Sequence, residues 1–355
     1  MLIQLVNNFY GLSIQLFFTF ISALLLSFCW NWFLKFKFLS SYSKSHAIHE
    51  NEICRLGGLL FFLGISTYSF LNYSDSLINH ICISLIPIIL IGVKEDLFHD
   101  VDPNKRLFAM TISILIFFYF NNFTFPVIDT PVIDFLNDNL VLASIFFSFS
   151  ILVLINGMNM IDGMNGLLLL VSFCQLFSLY EISNYYNDQD IVKLIVVFSL
   201  FLLTIFLFNF PFGKIFMGDT GAYMLGFVIG SIVIVLYARH DDLSPYSAIL
   251  ILIYPCFEVL FSVIRKLLKS ESPFLPDANH LHTLVFKMIN KNLKQKNLIF
   301  KNSFTTVILF PLWLIPSVLT IKFYNDLKIV LLCIFIYLIF YLILYLFFQN
   351  INSKE

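Results

Sequence analysis

Asn156-Gly157-Met158-Asn159-Met160-Ile161-Asp162-Gly163-Met164-Asn165-Gly166 stands between two apolar runs, Leu140 to Ile155 and Leu167 to Tyr180. Asn, Asp and Gly favour turns, so the plainest reading is a polar turn joining two membrane helices. Two features argue for more. Polar residues recur at 156, 159, 162 and 165. On an α-helix each step of three drifts by about 60°, so four of them fan over roughly half the surface. In a 3₁₀ turn they align. In either geometry several amide and carboxylate oxygens point into one region, and the glycines let backbone approach a ligand closely. On this stretch alone both readings stay open.

The apolar flanks are typical of the whole chain. Of 355 residues, 59% are hydrophobic and 12% charged, with a mean hydropathy of +0.88. Soluble domains carry about 25% charged residues. The composition therefore predicts an all-α integral membrane protein. Apolar windows give about eleven transmembrane helices, near 11–34, 56–71, 79–93, 107–120, 140–155, 167–182, 191–209, 217–237, 246–264, 303–321 and 328–348. The first window has no Lys or Arg before it and is long, so it reads as a retained helix and not a cleaved signal peptide. The six cysteines are scattered, mostly within the windows, and read as small packing residues. Residues 1–355 form a single polytopic domain on this reading, with no internal repeat and no soluble appendage.

Lys and Arg set the orientation. With the N-terminus outside, the inward segments 35–55, 94–106, 156–166, 210–216, 265–302 and the C-terminal tail hold 17 of the 21 basic residues. The outward loop 121–139 has none and carries Asp129, Asp134 and Asp138. An odd number of spans follows, with the N-terminus outside and the C-terminus cytoplasmic.

Five polar islands all fall on the cytoplasmic side of that topology: 35–58, 92–107, 156–167, 209–221 and 265–302. Arg55 precedes Gly57-Gly58, a pair that either packs closely or offers backbone N–H groups to an anion. Glu95-Asp96 places two carboxylates at a membrane boundary, where they need a cation or a shared proton. Metal site and proton acceptor both remain open for this pair. Lys105-Arg106 closes the same loop and could hold a phosphate or anchor the next helix. Asp219 sits between Gly218 and Gly221 at the entry to an apolar helix, where an N-cap is the modest reading and a metal-bound phosphate the sharper one. His280 and His282 lack the partners of a zinc site and suit contact with a diphosphate. Carboxylates, amides, basic groups and imidazoles on one membrane face are what metal-dependent phosphoryl transfer requires.

The motifs resemble those of the polyprenyl-phosphate N-acetylhexosamine-1-phosphate transferases, the glycosyltransferase family 4 relatives of the phospho-MurNAc-pentapeptide translocase. The resemblance rests on Arg55-Leu56-Gly57-Gly58, Glu95-Asp96, Asn156-x-x-Asn159-x-x-Asp162-Gly163-x-Asn165-Gly166-Leu167, Phe216-Met217-Gly218-Asp219-Thr220-Gly221 and His280-x-His282. Two departures stand out. Glu95 replaces the family's commoner Asp, and Thr283 follows His282 where a further His is frequent. The Glu-Asp form and the Pro276-Asp277-x-x-His280-Leu281-His282 loop look most like the branch that initiates O-antigen synthesis.

The resemblance implies transfer of a sugar-1-phosphate from a UDP-N-acetylhexosamine, such as UDP-N-acetylglucosamine, to undecaprenyl phosphate. The products are an undecaprenyl-diphospho-sugar and UMP, and the step initiates O-antigen or another envelope polysaccharide. The peptidoglycan translocase reaction is the alternative within the family. A lipid-linked sugar transporter is the rival outside it, disfavoured because the polar groups gather at one face and not at the midplane. Glu95, Asp96, Asp162 and Asp219 are the implied catalytic residues. Asp219 would hold Mg²⁺ (or Mn²⁺) with Asn159 helping, and Asp96 with Glu95 would handle the proton or orient the lipid phosphate. Asn156, Asp162, Gly163 and Asn165 would line the nucleotide pocket, while Arg55, Lys105, Arg106, His280 and His282 would contact phosphates or sugar. The expected setting is the bacterial inner membrane among its lipids, with the site facing the cytoplasm. A homodimer is among the expected assemblies, and no nucleic acid is among the partners.

Overall fold

A computed structural model describes residues 13–25, 54–72, 76–128, 130, 135, 138–272, 279–293 and 297–353. Apart from a single isolated parallel bridge between Cys54 and Ile215, the regular structure among these residues is helical. The helices are α1 Ser13–Leu25, α2 Gly57–Leu71, α3 Ser76–Ser84, α4 Ile86–Phe98, α5 Pro103–Phe120, α6 Leu140–Ile161 and α7 Leu167–Tyr185. They continue as α8 Gln189–Asn209, α9 Gly218–Arg239, α10 Pro245–Leu268, α11 Leu281–Asn292, α12 Leu298–Leu309, α13 Pro311–Phe323 and α14 Leu327–Ser353.

Seven of the described segments are long and apolar enough to cross a bilayer, with α12 and α13 together making one of them. An eighth is the pair α3 and α4, bent by 44° at Leu85. The expected span 79–93 straddles that bend. α1 and α2 are shorter apolar helices, and much of the expected first span, 11–34, lies outside the described residues. The expected span 140–155 is too short: α6 runs on to Ile161 and takes Asn156 and Asn159 into its last turns. α11, inside the loop 265–302, belongs to no apolar window.

α9 is the axis of the bundle. Its apolar window is 94% buried, against 22% for that of α14. It packs on α6, α4, α2 and α7. Small residues let neighbouring backbones close in: a Cβ on Gly226 would sit 2.6 Å from the Cα of Ile155 on α6. α14 instead exposes Phe335, Ile336, Phe340, Ile343 and Phe347, an apolar face suited to hydrocarbon.

α10 carries Pro255 in its interior. Proline has no N–H to give the carbonyl four residues back. That carbonyl, of Ile251, accepts from Nε2 of Gln175 on α7 at 3.4 Å, so a polar residue deep in the bundle mends the gap.

Candidate active site

Two short connections bring the acidic motifs together. Residues 54–58 run beside residues 215–217: Phe216 N–H donates to the carbonyl of Cys54 at 2.8 Å. Gly57 N–H and Gly58 N–H donate to the carbonyls of Phe216 and Met217, each at 2.9 Å. The anion-binding reading of the glycine pair is therefore corrected. Their N–H groups are engaged by backbone, and a Cβ on Gly58 would collide with the backbone of Gly221. Arg55, just before the pair, is left pointing into the start of α9.

Asp96, near the end of α4, meets the N-terminus of α9. Its Oδ1 accepts from Asp219 N–H at 2.7 Å, and its Oδ2 accepts from Thr220 N–H at 2.9 Å and from the Thr220 hydroxyl at 2.6 Å. A helix N-terminus leaves its first N–H groups without intrahelical partners and carries positive dipole. A buried carboxylate from another helix supplies both needs here. Gly218 makes the approach possible: its φ is +70°, and a Cβ there would lie 2.6 Å from either Asp96 oxygen.

Because Asp96 caps the helix, the Asp219 side chain has other partners. Its Oδ1 accepts from Nη2 of Arg55 at 2.9 Å. Its Oδ2 accepts from the Tyr223 hydroxyl at 3.3 Å and lies 3.7 Å from Nη1 of Arg106. Arg106 also donates to Tyr223 at 3.3 Å and stands 3.7 Å from Oε1 of Glu95, whose Oε2 accepts from Val101 N–H at 3.0 Å. Arg55 reaches Asp96 as well, at 3.7 Å. Burial disfavours the Arg55 charge, yet Asp219, Asp96, Asp162 and Glu95 together raise its pKa above the usual arginine value.

Asp162 is the helix C-cap of α6 and is half-buried. Desolvation pushes its carboxyl up to about 7; Arg55 opposes that shift, and the negative charges of Asp219 and Asp96 add to it. The cluster thus holds more negative charge than its two arginines offset. Among the described residues no group of three or more His, Cys, Asp or Glu side chains is arranged to hold a metal ion by itself. Mg²⁺ is commonly held by one or two carboxylates completed by substrate phosphates and water. Asp219 and Asp162, oxygen donors in a cluster with surplus negative charge, fit that kind of site.

The histidines approach from the other side. Gly163 follows Asp162, and a Cβ on it would lie 2.8 Å from Nε2 of His282. The rings of His280 and His282 stack at 5.6 Å with 2° between their planes. Burial, and His280 beside it, lower the His282 pKa to about 4 against a small opposing pull from Glu258, so the ring is neutral near pH 7. Its Nδ1 is buried with no hydrogen-bond partner among the described residues.

Not every expected site residue joins this centre. Asn165 is fully buried and acts as a strut. Its N–H donates to Oδ1 of Asn302 on α12 at 2.6 Å, its Nδ2 donates to Ser303 at 3.0 Å, and its carbonyl accepts from Thr306 at 2.8 Å. Asn156 turns back onto its own helix, donating to the carbonyl of Leu152 at 2.7 Å. Asn159 is half-buried in the last turn of α6, and Lys105 is exposed. The loop residues Pro276 and Asp277 lie outside the described residues.

Sequence reasoning missed Tyr223, Asn209 and Glu258. Tyr223 is one turn from Asp219, a spacing that a helix reading could have flagged. Asn209 accepts from Gly166 N–H at 2.5 Å and donates to the carbonyl of Ile215 at 2.8 Å, tying the turn after α6 to the approach to α9. Glu258, an acid inside an apolar window, was itself a signal.

Comparison with known proteins agrees with the motifs. The profile of glycosyl transferase family 4 matches residues 78–237, which include Glu95, Asp96, Arg106, Asp162 and Asp219. A Bacillus subtilis protein described as a probable undecaprenyl-phosphate N-acetylglucosaminyl 1-phosphate transferase is 27% identical over 241 residues, 66% of either chain. A Thermotoga maritima undecaprenyl-phosphate alpha-N-acetylglucosaminyl 1-phosphate transferase is 26% identical over 247 residues, 70% of this chain and 72% of its own. A Yersinia pestis protein of the same description is 32% identical over 148 residues, 39% of this chain and 40% of its own. The acidic centre therefore lies inside the region of the chain, a little under half of it, that is similar to glycosyl transferase family 4.

Proposed function

We propose that the protein transfers N-acetylhexosamine-1-phosphate, N-acetylglucosamine-1-phosphate first among the candidates, from a UDP-sugar to undecaprenyl phosphate. The observation that carries this reading is the convergence of Asp96, Asp219, Asp162, Arg55 and Arg106 at the N-terminus of the most buried helix. The relatives' descriptions supply the acceptor and the sugar. The reaction forms a bond between an oxygen of the lipid phosphate and the sugar-bearing phosphorus of the donor. The anhydride bond to the uridine-bearing phosphate breaks, and its electron pair leaves on UMP.

The lipid phosphate is anionic near neutral pH, so little of the barrier lies in removing a proton. The work is charge neutralisation and alignment. Arg55 and Arg106 flank Asp219, 2.9 and 3.7 Å from its oxygens, and are the cations at hand to neutralise the two phosphates. Asp219 and Asp162 are the residues we assign to hold Mg²⁺, or Mn²⁺ in its place. That ion, when bound, neutralises charge on the diphosphate. Asp96 holds the Asp219 backbone and so fixes its carboxylate; Glu95 orients Arg106. Gly163 and His282 border the donor, with the neutral imidazole offering a hydrogen bond rather than a charge.

The excess of Lys and Arg on the polar-island side supports a centre at the cytoplasmic face of a bacterial plasma membrane, where a UDP-sugar is at hand. The product would start O-antigen or another envelope polysaccharide. The test is UMP release by purified protein with undecaprenyl phosphate, Mg²⁺ and a panel of UDP-N-acetylhexosamines. Release should require lipid, metal and Asp219, and fall to background in Asp219→Ala. No release from folded protein with any donor would overturn the proposal.

A further inference from the structure

Glu258 is an acid in the middle of a membrane-crossing helix, 1% exposed, with three donors turned on it. Its Oε1 lies 3.1 Å from Nδ1 of His280 and accepts from Leu281 N–H at 3.2 Å. Its Oε2 accepts from the hydroxyl of Tyr341, on α14. About two turns further along α10, Arg265 donates to the carbonyl of Asn279 at 2.6 Å and to the Tyr345 hydroxyl, also on α14. Two side chains of α10, each backed by a tyrosine of the last helix, therefore grip the chain on both sides of the Asn279–His280 peptide. The clamp also starts α11: Leu281 is its first residue, and Glu258 takes one of its otherwise unpaired N–H groups.

A buried acid is costly in a bilayer core unless it has a task or a partner. The partners here lead straight to the site. With Oε1 accepting from Nδ1–H, the His280 imidazole presents Nε2 away from Glu258. Its ring stacks on that of His282, whose Nε2 abuts Gly163, next to Asp162. We infer that Glu258 is a positioning residue for the UDP-sugar, setting the tautomer and tilt of His280 and, through the stack, the seat of His282 against Gly163. The inference rests on the transferase reading for the identity of the ligand, and on geometry alone for the positioning. Glu258, His280 and His282 all lie outside residues 78–237, so the family match says nothing of them.

Two measurements on the full-length purified protein test this. The first is the ¹⁵N-histidine spectrum, in which His280, assigned by its loss in His280→Ala, should show the Nδ1–H tautomer. Glu258→Gln should weaken that signature, Glu258→Leu should abolish it, and Glu258→Asp should keep part of it. The second is steady-state UMP release. Glu258→Gln should raise the KM for the UDP-sugar by roughly tenfold, as a slight misplacement of a binding group does, and leave the KM for undecaprenyl phosphate within about twofold. A Glu258→Gln/His280→Ala double variant should be no worse than His280→Ala alone, because the acid acts through the imidazole. A merely structural acid would give additive losses and would raise both KM values. An Nε2–H tautomer in the wild type, or an unchanged donor KM in Glu258→Gln, would overturn the inference. A wild type inactive with every donor would instead overturn the transferase reading, and the tautomer spectra would still decide the positioning.

Discussion

Asp96→Asn separates a helix brace from a catalytic base. Asp96 accepts from two backbone N–H groups, of Asp219 and Thr220, one on each oxygen. An asparagine has one acceptor oxygen and one NH₂ donor, so in either flip one buried N–H faces a donor. The Thr220 hydroxyl can rotate to accept, but the N–H cannot. A stranded buried N–H costs about 1–3 kcal/mol, and removing an anion from a helix N-terminus costs about 0.3–1 kcal/mol more. The sum, about 1–4 kcal/mol, should lower the unfolding midpoint of detergent-purified protein by roughly 2–8 °C. The stranded group sits at the residue carrying the Asp219 carboxylate, so UMP release should fall with it, by about tenfold or more. Thr220→Ala, which loses only the hydroxyl bond of 2.6 Å, should give a smaller shift in both. A wild-type midpoint for Asp96→Asn combined with loss of turnover by several orders of magnitude would refute the brace and return Asp96 to the proton-handling role.

Three further outcomes are expected. The raised carboxyl of Asp162, about 7, means that the folded protein binds its proton more tightly than the unfolded chain does. Its contribution to stability is complete below the unfolded value near 3.8 and is lost as pH rises toward 7. Measured without divalent cations, Asp162→Asn should therefore gain on the wild type as pH climbs from about 4 to 7 and hold a constant margin above; a pH-independent difference would contradict the buried-charge account. Gly163→Ala places a Cβ 2.8 Å from Nε2 of His282 and should raise the KM for the UDP-sugar while leaving thermal stability near wild type; an unchanged KM would remove His282 from the donor site. Asn302→Ala strands the N–H of Asn165 and should cost about 1–3 kcal/mol, read as a lower unfolding midpoint with unaltered KM values in the protein that remains folded. A KM change without a stability change would restore Asn165 to the nucleotide pocket.

The acidic residues were legible because acids and amides beside apolar helices need a reason to be there, and Asp219 at a helix entry followed from its flanking glycines and the apolar run after it. What those residues touch was not legible. Gly57-Gly58 could serve an anion or a backbone neighbour, and only the strand-like contact with residues 215–217 decides for the neighbour. Asn165 shares its spacing with Asn159 and Asp162, yet α6 ends at Ile161 and the turn beyond it carries Asn165 away from the carboxylates and into α12. The threefold spacing had force only while one helix continued.

The sequence by itself determined the membrane-embedded helical class, the polar islands and the chemistry they share, since hydropathy, charge and residue type are local properties that need no partner to be read. The tertiary structure decided which polar group serves which. Asp96 and Asp219 are 123 positions apart, and their pairing exists only because Gly218 lets α4 approach the start of α9. Glu258 lies 22 residues before His280 and 83 before Tyr341, three groups that meet only where α10, α11 and α14 pack. A buried donor or acceptor is satisfied by whichever group packing brings within about 3 Å, and that distance is set by the fold and not by the order of residues.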